Sequence, residues 1–211
     1  MTSGSATKRT EEHRQAVLEH AKEAERRVQR RTRMLRAAAG LAVLAVVAAV
    51  VTAMMLTSRP TSTTRTRTAP DFTLTDTNGR QVHLADFRGR PVVLYFSEGA
   101  GCGSCLQQMT GIEKEKAAFD AAGVTVLPIV MNTKQQITAD MATYGATTPF
   151  LLDDGTVSTA YGTLGKGMHA GLPGHSFFLI DAAGVQRWSG EYPSMWLAPK
   201  DLLGQIRSHL S

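Results

Sequence analysis

Cysteine is scarce in this 211-residue chain: there are two, Cys102 and Cys105, both within "YFSEGAGCGSCLQQM" (95–109). With no second cysteine pair, a structural zinc site lacks its four-ligand set. A disulfide between residues three apart closes too small a loop to act as a structural staple. Basic charge is missing from the larger part of the chain. Residues 70–211 carry ten Lys/Arg against thirteen Asp/Glu, whereas residues 1–36 carry ten against five. The net +5 therefore belongs to the N-terminal region, and nucleic-acid binding has no basic face to rest on. No internal repeat is visible.

One long apolar run is present. "AAAGLAVLAVVAAVVTAMML" (37–56) is uncharged, and at about 1.5 Å rise per residue it spans about 30 Å, the thickness of a hydrocarbon core. A cleavable signal peptide sits closer to the terminus and has a shorter apolar core, so the run reads as an uncleaved anchor. No cysteine follows it to carry a lipid. Lys22, Arg26, Arg27, Arg30, Arg31, Arg33 and Arg36 precede it, against three arginines after it. That bias places the N-terminus in the cytoplasm and the C-terminal domain outside the cell membrane.

The expected organisation is a basic helical segment (1–36), a transmembrane helix (37–57), a flexible linker rich in Ser, Thr and Arg (58–69), and a folded domain (70–211). Within that domain, "DFTLTDTNGRQVHL" predicts a β-hairpin turning at Asn78-Gly79. "PVVLYFS" (91–97) and "VTVLPIVM" (124–131) read as strands buried on both faces. Helices are expected over 103–122, 133–144 and from Pro199 onward, with a short helical turn at 156–161. Short strands are expected at "PFLLD", 176–181 and 184–192. This order specifies an α/β fold: a mixed sheet flanked by helices on both faces.

A Cys-x-x-Cys between a buried strand and a helix points to redox chemistry. Cys102 falls at the helix N-terminus, where free N–H groups and the positive dipole end favour a thiolate. Cys105, one turn further in, is placed to resolve a mixed disulfide on Cys102.

"APDFTLTDTNGRQVHLADFRGRPVVLYF", "TPFLLDDGTVSTAYG" and "HSFFLIDAAGVQRW" resemble the redoxin branch of the thioredoxin superfamily. That branch includes peroxiredoxins of the alkyl hydroperoxide reductase type and membrane-anchored thiol–disulfide reductases. The resemblance implies a thioredoxin-like sheet with an N-terminal β-hairpin extension and an oxidoreductase that needs no cofactor. As an extracytoplasmic reductase it would act on disulfides of exported proteins and draw electrons from a membrane thiol carrier.

Peroxiredoxins set their peroxidatic cysteine in a Pro-x-x-x-Thr-x-x-Cys frame. Here Gly99 and Tyr95 hold those two places ahead of Cys102, and Cys102 and Glu98 hold them ahead of Cys105. The departure favours disulfide exchange, with a thiol-dependent peroxidase as the alternative. In thioredoxin-like reductases a cis-proline stands three residues before the Phe of a "FLID"-like strand. That count reaches His175 here, with Pro173 two residues earlier. A His175 imidazolium facing Cys102 would favour the thiolate. Glu98 is either a proton acceptor for Cys105 or a solvated loop residue. His169 reads as a loop residue, and the tryptophan that commonly precedes the first cysteine is replaced by Gly101. A copper-binding metallochaperone using both cysteines and His175 is a further alternative, although relatives of that type space their cysteines one residue wider.

Overall fold

The computed structural model describes residues 4–57 and 59–210, which divide into an N-terminal helix and a folded domain. The helix, α1, runs without a break over Gly4–Thr57. Ala, Glu, Lys and Arg dominate its first half, and all are good helix formers. Glu25–Leu56 is long and apolar enough to cross a membrane, and its apolar side chains lie exposed.

The folded domain is built on one mixed sheet. Its strands are β1 (Thr61–Thr63), β2 (Arg67–Thr68), β3 (Thr73–Asp76), β4 (Gln81–His83), β5 (Val92–Phe96), β6 (Thr125–Val130), β7 (Leu151–Leu152), β8 (Ser176–Ile180) and β9 (Val185–Glu191). The order across the sheet is β1-β9-β8-β5-β6-β7-β3-β4, with β2 also on β9. β5, β6 and β7 are parallel, and β8 returns antiparallel to β5. The helices are α2 (Gly103–Lys114), α3 (Lys116–Ala121), α4 (Lys134–Tyr144), α5 (Thr156–Tyr161) and α6 (Pro199–Leu210). This is the thioredoxin-like arrangement that the resemblance implies, with the β3–β4 hairpin as its extension.

Alternation along the central strands separates two apolar layers. Val93, Tyr95, Phe177 and Leu179 face Leu106 and Ile112 of α2, Ile137 of α4 and Leu202 of α6. Val92, Leu94, Phe96 and Ile180 face Phe72, Leu84, Val157 and Tyr161 on the other side. Each fully buried aliphatic or aromatic side chain here contributes about 1.5–3 kcal/mol.

Two sequence expectations need correction. Residues 58–69 are not a free linker throughout, because β1 and β2 pair antiparallel with β9. Trp188 Nε1 donates to Ser62 Oγ at 2.7 Å, and Arg67 Nε donates to Gln186 Oε1 at 2.9 Å. The β-branched threonines of this segment suit a strand once the edge of β9 is offered to them. The single helix expected over 103–122 is two, α2 and α3, separated at Glu115 (φ −97°, ψ 15°). Good helix formers flank the break, and nothing local explains it.

The hairpin forms where expected. Asp76 Oδ1 accepts from the N–H groups of Asn78 and Arg80, and Gly79 takes the left-handed φ of 84° that the turn requires.

Candidate active site

The chain leaves β5 at Phe96 and enters α2 at Gly103, and the turn between them carries the cysteines. Gly99 has φ 74°, and a Cβ there would collide with Asn132 Oδ1 and Val130 Cγ1. Only glycine fits. The turn is tied down from neighbouring elements. Ala100 N–H donates to Asn132 Oδ1 and Gly101 N–H to Asp140 Oδ2, each at 2.8 Å.

Cys102 caps α2, with its Sγ accepting from the Cys105 N–H at 3.3 Å. The two cysteines form a disulfide. Cys102 is 6% exposed and Cys105 is fully buried, so an incoming sulfur reaches Cys102 first. Cys102 is thus the outer sulfur of the pair and Cys105 the inner one.

Beneath the pair lies a buried polar chain that the sequence reading did not assemble. Tyr95 Oη stands 3.1 Å from the Cys105 carbonyl oxygen and 3.2 Å from His175 Nδ1. His175 Nε2 stands 3.3 Å from Gln108 Oε1. The direction of the Gln108 amide is fixed by Leu197, whose N–H donates to Oε1 at 2.8 Å and whose carbonyl accepts from Nε2 at 2.9 Å. Gln108 therefore offers His175 an oxygen, so the imidazole must carry its proton on Nε2. Nδ1 is then a lone pair, and the Tyr95 hydroxyl proton has two acceptors, that nitrogen and the Cys105 carbonyl.

His175 is thus not the imidazolium facing Cys102 that the sequence implies. Burial pushes its pKa down to about 3, so the ring is neutral at neutral pH. Burial likewise raises the Tyr95 phenol, which stays protonated. With both His175 nitrogens turned to Tyr95 and Gln108, the Cys–Cys–His copper set is not assembled. No peptide bond among the described residues is cis, and His175 directly precedes β8. Pro173 is buried and pairs with Leu164 across the base of the 163–174 loop.

Glu98 is not solvated. It is 2% exposed, and its carboxylate accepts from the His169 N–H at 3.0 Å and meets His169 Nδ1 at 2.9 Å. Gly167 packs so closely on this carboxylate that a Cβ would overlap it. His169 is therefore more than a loop residue: it holds the loop onto the acid nearest the cysteines in sequence.

Gln108, Asn132 and Asp140 escaped the sequence reading, and Tyr95 entered it only at the proline place of the peroxiredoxin frame. A signal existed for Gln108, a polar residue within the otherwise apolar stripe Cys105, Gln108, Met109, Ile112. Asp140 offered none, since its partner lies 39 residues away.

Known proteins resemble this domain. The AhpC/TSA family profile matches residues 66–189. "Putative peroxiredoxin Rv2521" of Mycobacterium tuberculosis is 36% identical over 99 residues, covering 46% of this chain and 63% of the relative. The chain thus spans a little under two-thirds of the relative's length. The reduced 2-Cys peroxiredoxin of Plasmodium vivax superposes with a TM-score of 0.61 at 21% identity, covering 69% and 96% of the two chains. The "putative protein disulfide isomerase" of Bacteroides thetaiotaomicron superposes at 0.54 with 28% identity, covering 68% and 88%.

Proposed function

Because the chain belongs to the AhpC/TSA family, we propose that it is a membrane-anchored thiol–disulfide oxidoreductase working through Cys102 and Cys105. The observation that carries this reading is the sulfur arrangement: a capping, partly accessible Cys102 bonded to a fully buried Cys105 one turn into α2. In the reduced protein, the Cys102 thiolate attacks one sulfur of a substrate disulfide and expels the first substrate thiolate. Cys105, losing its proton, attacks Cys102 Sγ and expels the second. Two electrons pass to the substrate, and the protein is left as the disulfide. Residues 37–57 serve as the anchor, with the basic residues before them on the cytoplasmic side and the redox domain outside. Disulfides of exported proteins are the substrate class, and a membrane thiol carrier restores the dithiol.

The test is insulin-type disulfide reduction. Cys102→Ser is expected to abolish it, and Cys105→Ser to accumulate a mixed disulfide with substrate. Full activity in the Cys102→Ser chain would end this reading.

The peroxidase reading is kept for one reason: relatives of this domain bear peroxiredoxin names. In that case the Cys102 thiolate attacks a peroxide oxygen, the O–O bond breaks and water or an alcohol leaves, and the resulting sulfenic acid condenses with the Cys105 thiol to the same disulfide with loss of water. Stopped-flow mixing of the reduced chain with hydrogen peroxide separates the two. Rapid turnover would make the peroxidase the primary activity.

A further inference from the structure

We propose that Asp140 is a charge-positioning residue that keeps Cys102 a reluctant thiolate, so that the pair gives electrons to disulfides rather than taking them. This inference rests on the proposed exchange reaction and names a residue that biases it toward reduction.

A helix N-terminus stabilises a thiolate through its free N–H groups and its positive dipole end. The Cys105 N–H, aimed at Cys102 Sγ, acts that way here. The amide just ahead of Cys102 does not act freely: Gly101 N–H is bound by the Asp140 carboxylate at 2.8 Å. A negative charge thereby sits on the backbone of the residue preceding the nucleophile. A like charge beside a thiolate raises its pKa.

The placement is structural. Asp140 and Tyr144 lie one turn apart on α4, hence on one face. Tyr144 presses against Gly103 so closely that a Cβ there would overlap its hydroxyl. Two contacts one helical turn apart therefore dock α4 onto residues 101–103, and Asp140 is carried in by that docking.

The other titratable groups around the turn do not offset this charge. Glu98 and His169 are paired with each other. His175 points its nitrogens at Tyr95 and Gln108, and burial keeps it neutral. Tyr95 is a protonated phenol. The charge bound at Gly101 is the negative one.

A poorly stabilised thiolate makes the dithiol less stable relative to the disulfide, and so more reducing. The upstream partner must then be a dithiol reductant at least as strong, which becomes a disulfide as Cys102 and Cys105 regain their protons.

The test is Asp140→Asn in the full-length chain in detergent. Asparagine keeps an oxygen for the Gly101 N–H and removes only the charge. Two readouts are taken: the Cys102 pKa from thiolate absorbance, and the equilibrium constant for oxidation of the pair by glutathione disulfide. Relative to the unaltered chain, the expected pKa falls by about one unit. Read at a pH about one unit above the Cys102 pKa of the unaltered chain, the constant is expected to fall about tenfold, equivalent to about 30 mV toward an oxidant. A change of less than about twofold in both overturns the role of Asp140. A purely structural contact would shift the urea midpoint and leave both readouts in place. Should the variant not fold, the unaltered chain decides. Its Cys102 pKa is expected no lower than about 7, and a value as low as about 4 overturns the proposal. Failure of the pair to equilibrate with glutathione in any form would instead sink the underlying exchange reading.

Discussion

On its sheet side the cysteine pair rests on Tyr95, Gln108 and His175, all buried and all neutral. On its rim the turn is held by Asp140 and Asn132, while the Glu98–His169 pair ties the chain just before it to the 163–174 loop, most of it within reach of water. Both sides use hydrogen bonds, yet they answer to different physics. A buried neutral chain is rigid because each member has few alternatives and each lost partner leaves an unsatisfied group. A rim contact can exchange its partner for water, so breaking it costs little stability while still altering the local field. The inner side therefore sets where Cys105 sits. The outer side sets how readily Cys102 ionises.

The strongest challenge to this contrast is Gln108→Leu. Leucine has a similar volume, but it strands the Leu197 N–H, the Leu197 carbonyl and His175 Nε2, each now bonded to Gln108. At roughly 1–3 kcal/mol for each buried group left unpaired, a loss of about 3 kcal/mol or more is expected from urea unfolding. A loss under about 1 kcal/mol would mean the inner chain does not hold the fold as described.

Acid offers a second, smaller test. The folded His175 pKa of about 3 lies below the ordinary value of 6.5. Between those values the unfolded chain binds the extra proton and the folded chain does not. The contribution is therefore fully present above about pH 6.5 and lost as pH falls toward 3. At 1.36 kcal/mol per unit, the loss is about 2 kcal/mol by pH 5. Comparing unfolding at pH 7 and pH 5 with that of His175→Phe should show the acid-dependent loss shrinking in the variant. An equal loss in both chains would place the acid sensitivity elsewhere.

The same contrast explains what could be read from the chain in advance. The β3–β4 hairpin, β5 and the cysteine turn are written in neighbouring residues: alternation around Asn78-Gly79, an unbroken apolar run, a Cys-x-x-Cys before a helical stripe. The strands at 61–63 and 67–68 were not legible, because what makes Ser, Thr and Arg a strand is the edge of β9, more than a hundred residues later. His175 was found by counting back from Phe178, but its charge state was not. Charge depends on burial, and burial depends on the whole sheet. Glu98 was singled out for its nearness to the cysteines, and its partner in the 163–174 loop emerged only on folding.

The smallest expected effect lies on the rim, at His169→Ala. The substitution removes the ring from Glu98 and leaves the His169 backbone N–H in place, so the buried carboxylate keeps one of its two donors. The His169 side chain is 67% exposed, and water can approach from its side. A stability loss of about 0.5–1 kcal/mol is expected from urea unfolding. A double-mutant cycle with Glu98→Gln should return a coupling of the same size, because the two side chains are in direct contact. A coupling near zero would mean that the backbone N–H alone carries the contact. A loss as large as that of Gln108→Leu would break the comparison, since the loop would then belong to the rigid base of the redox turn rather than to its rim.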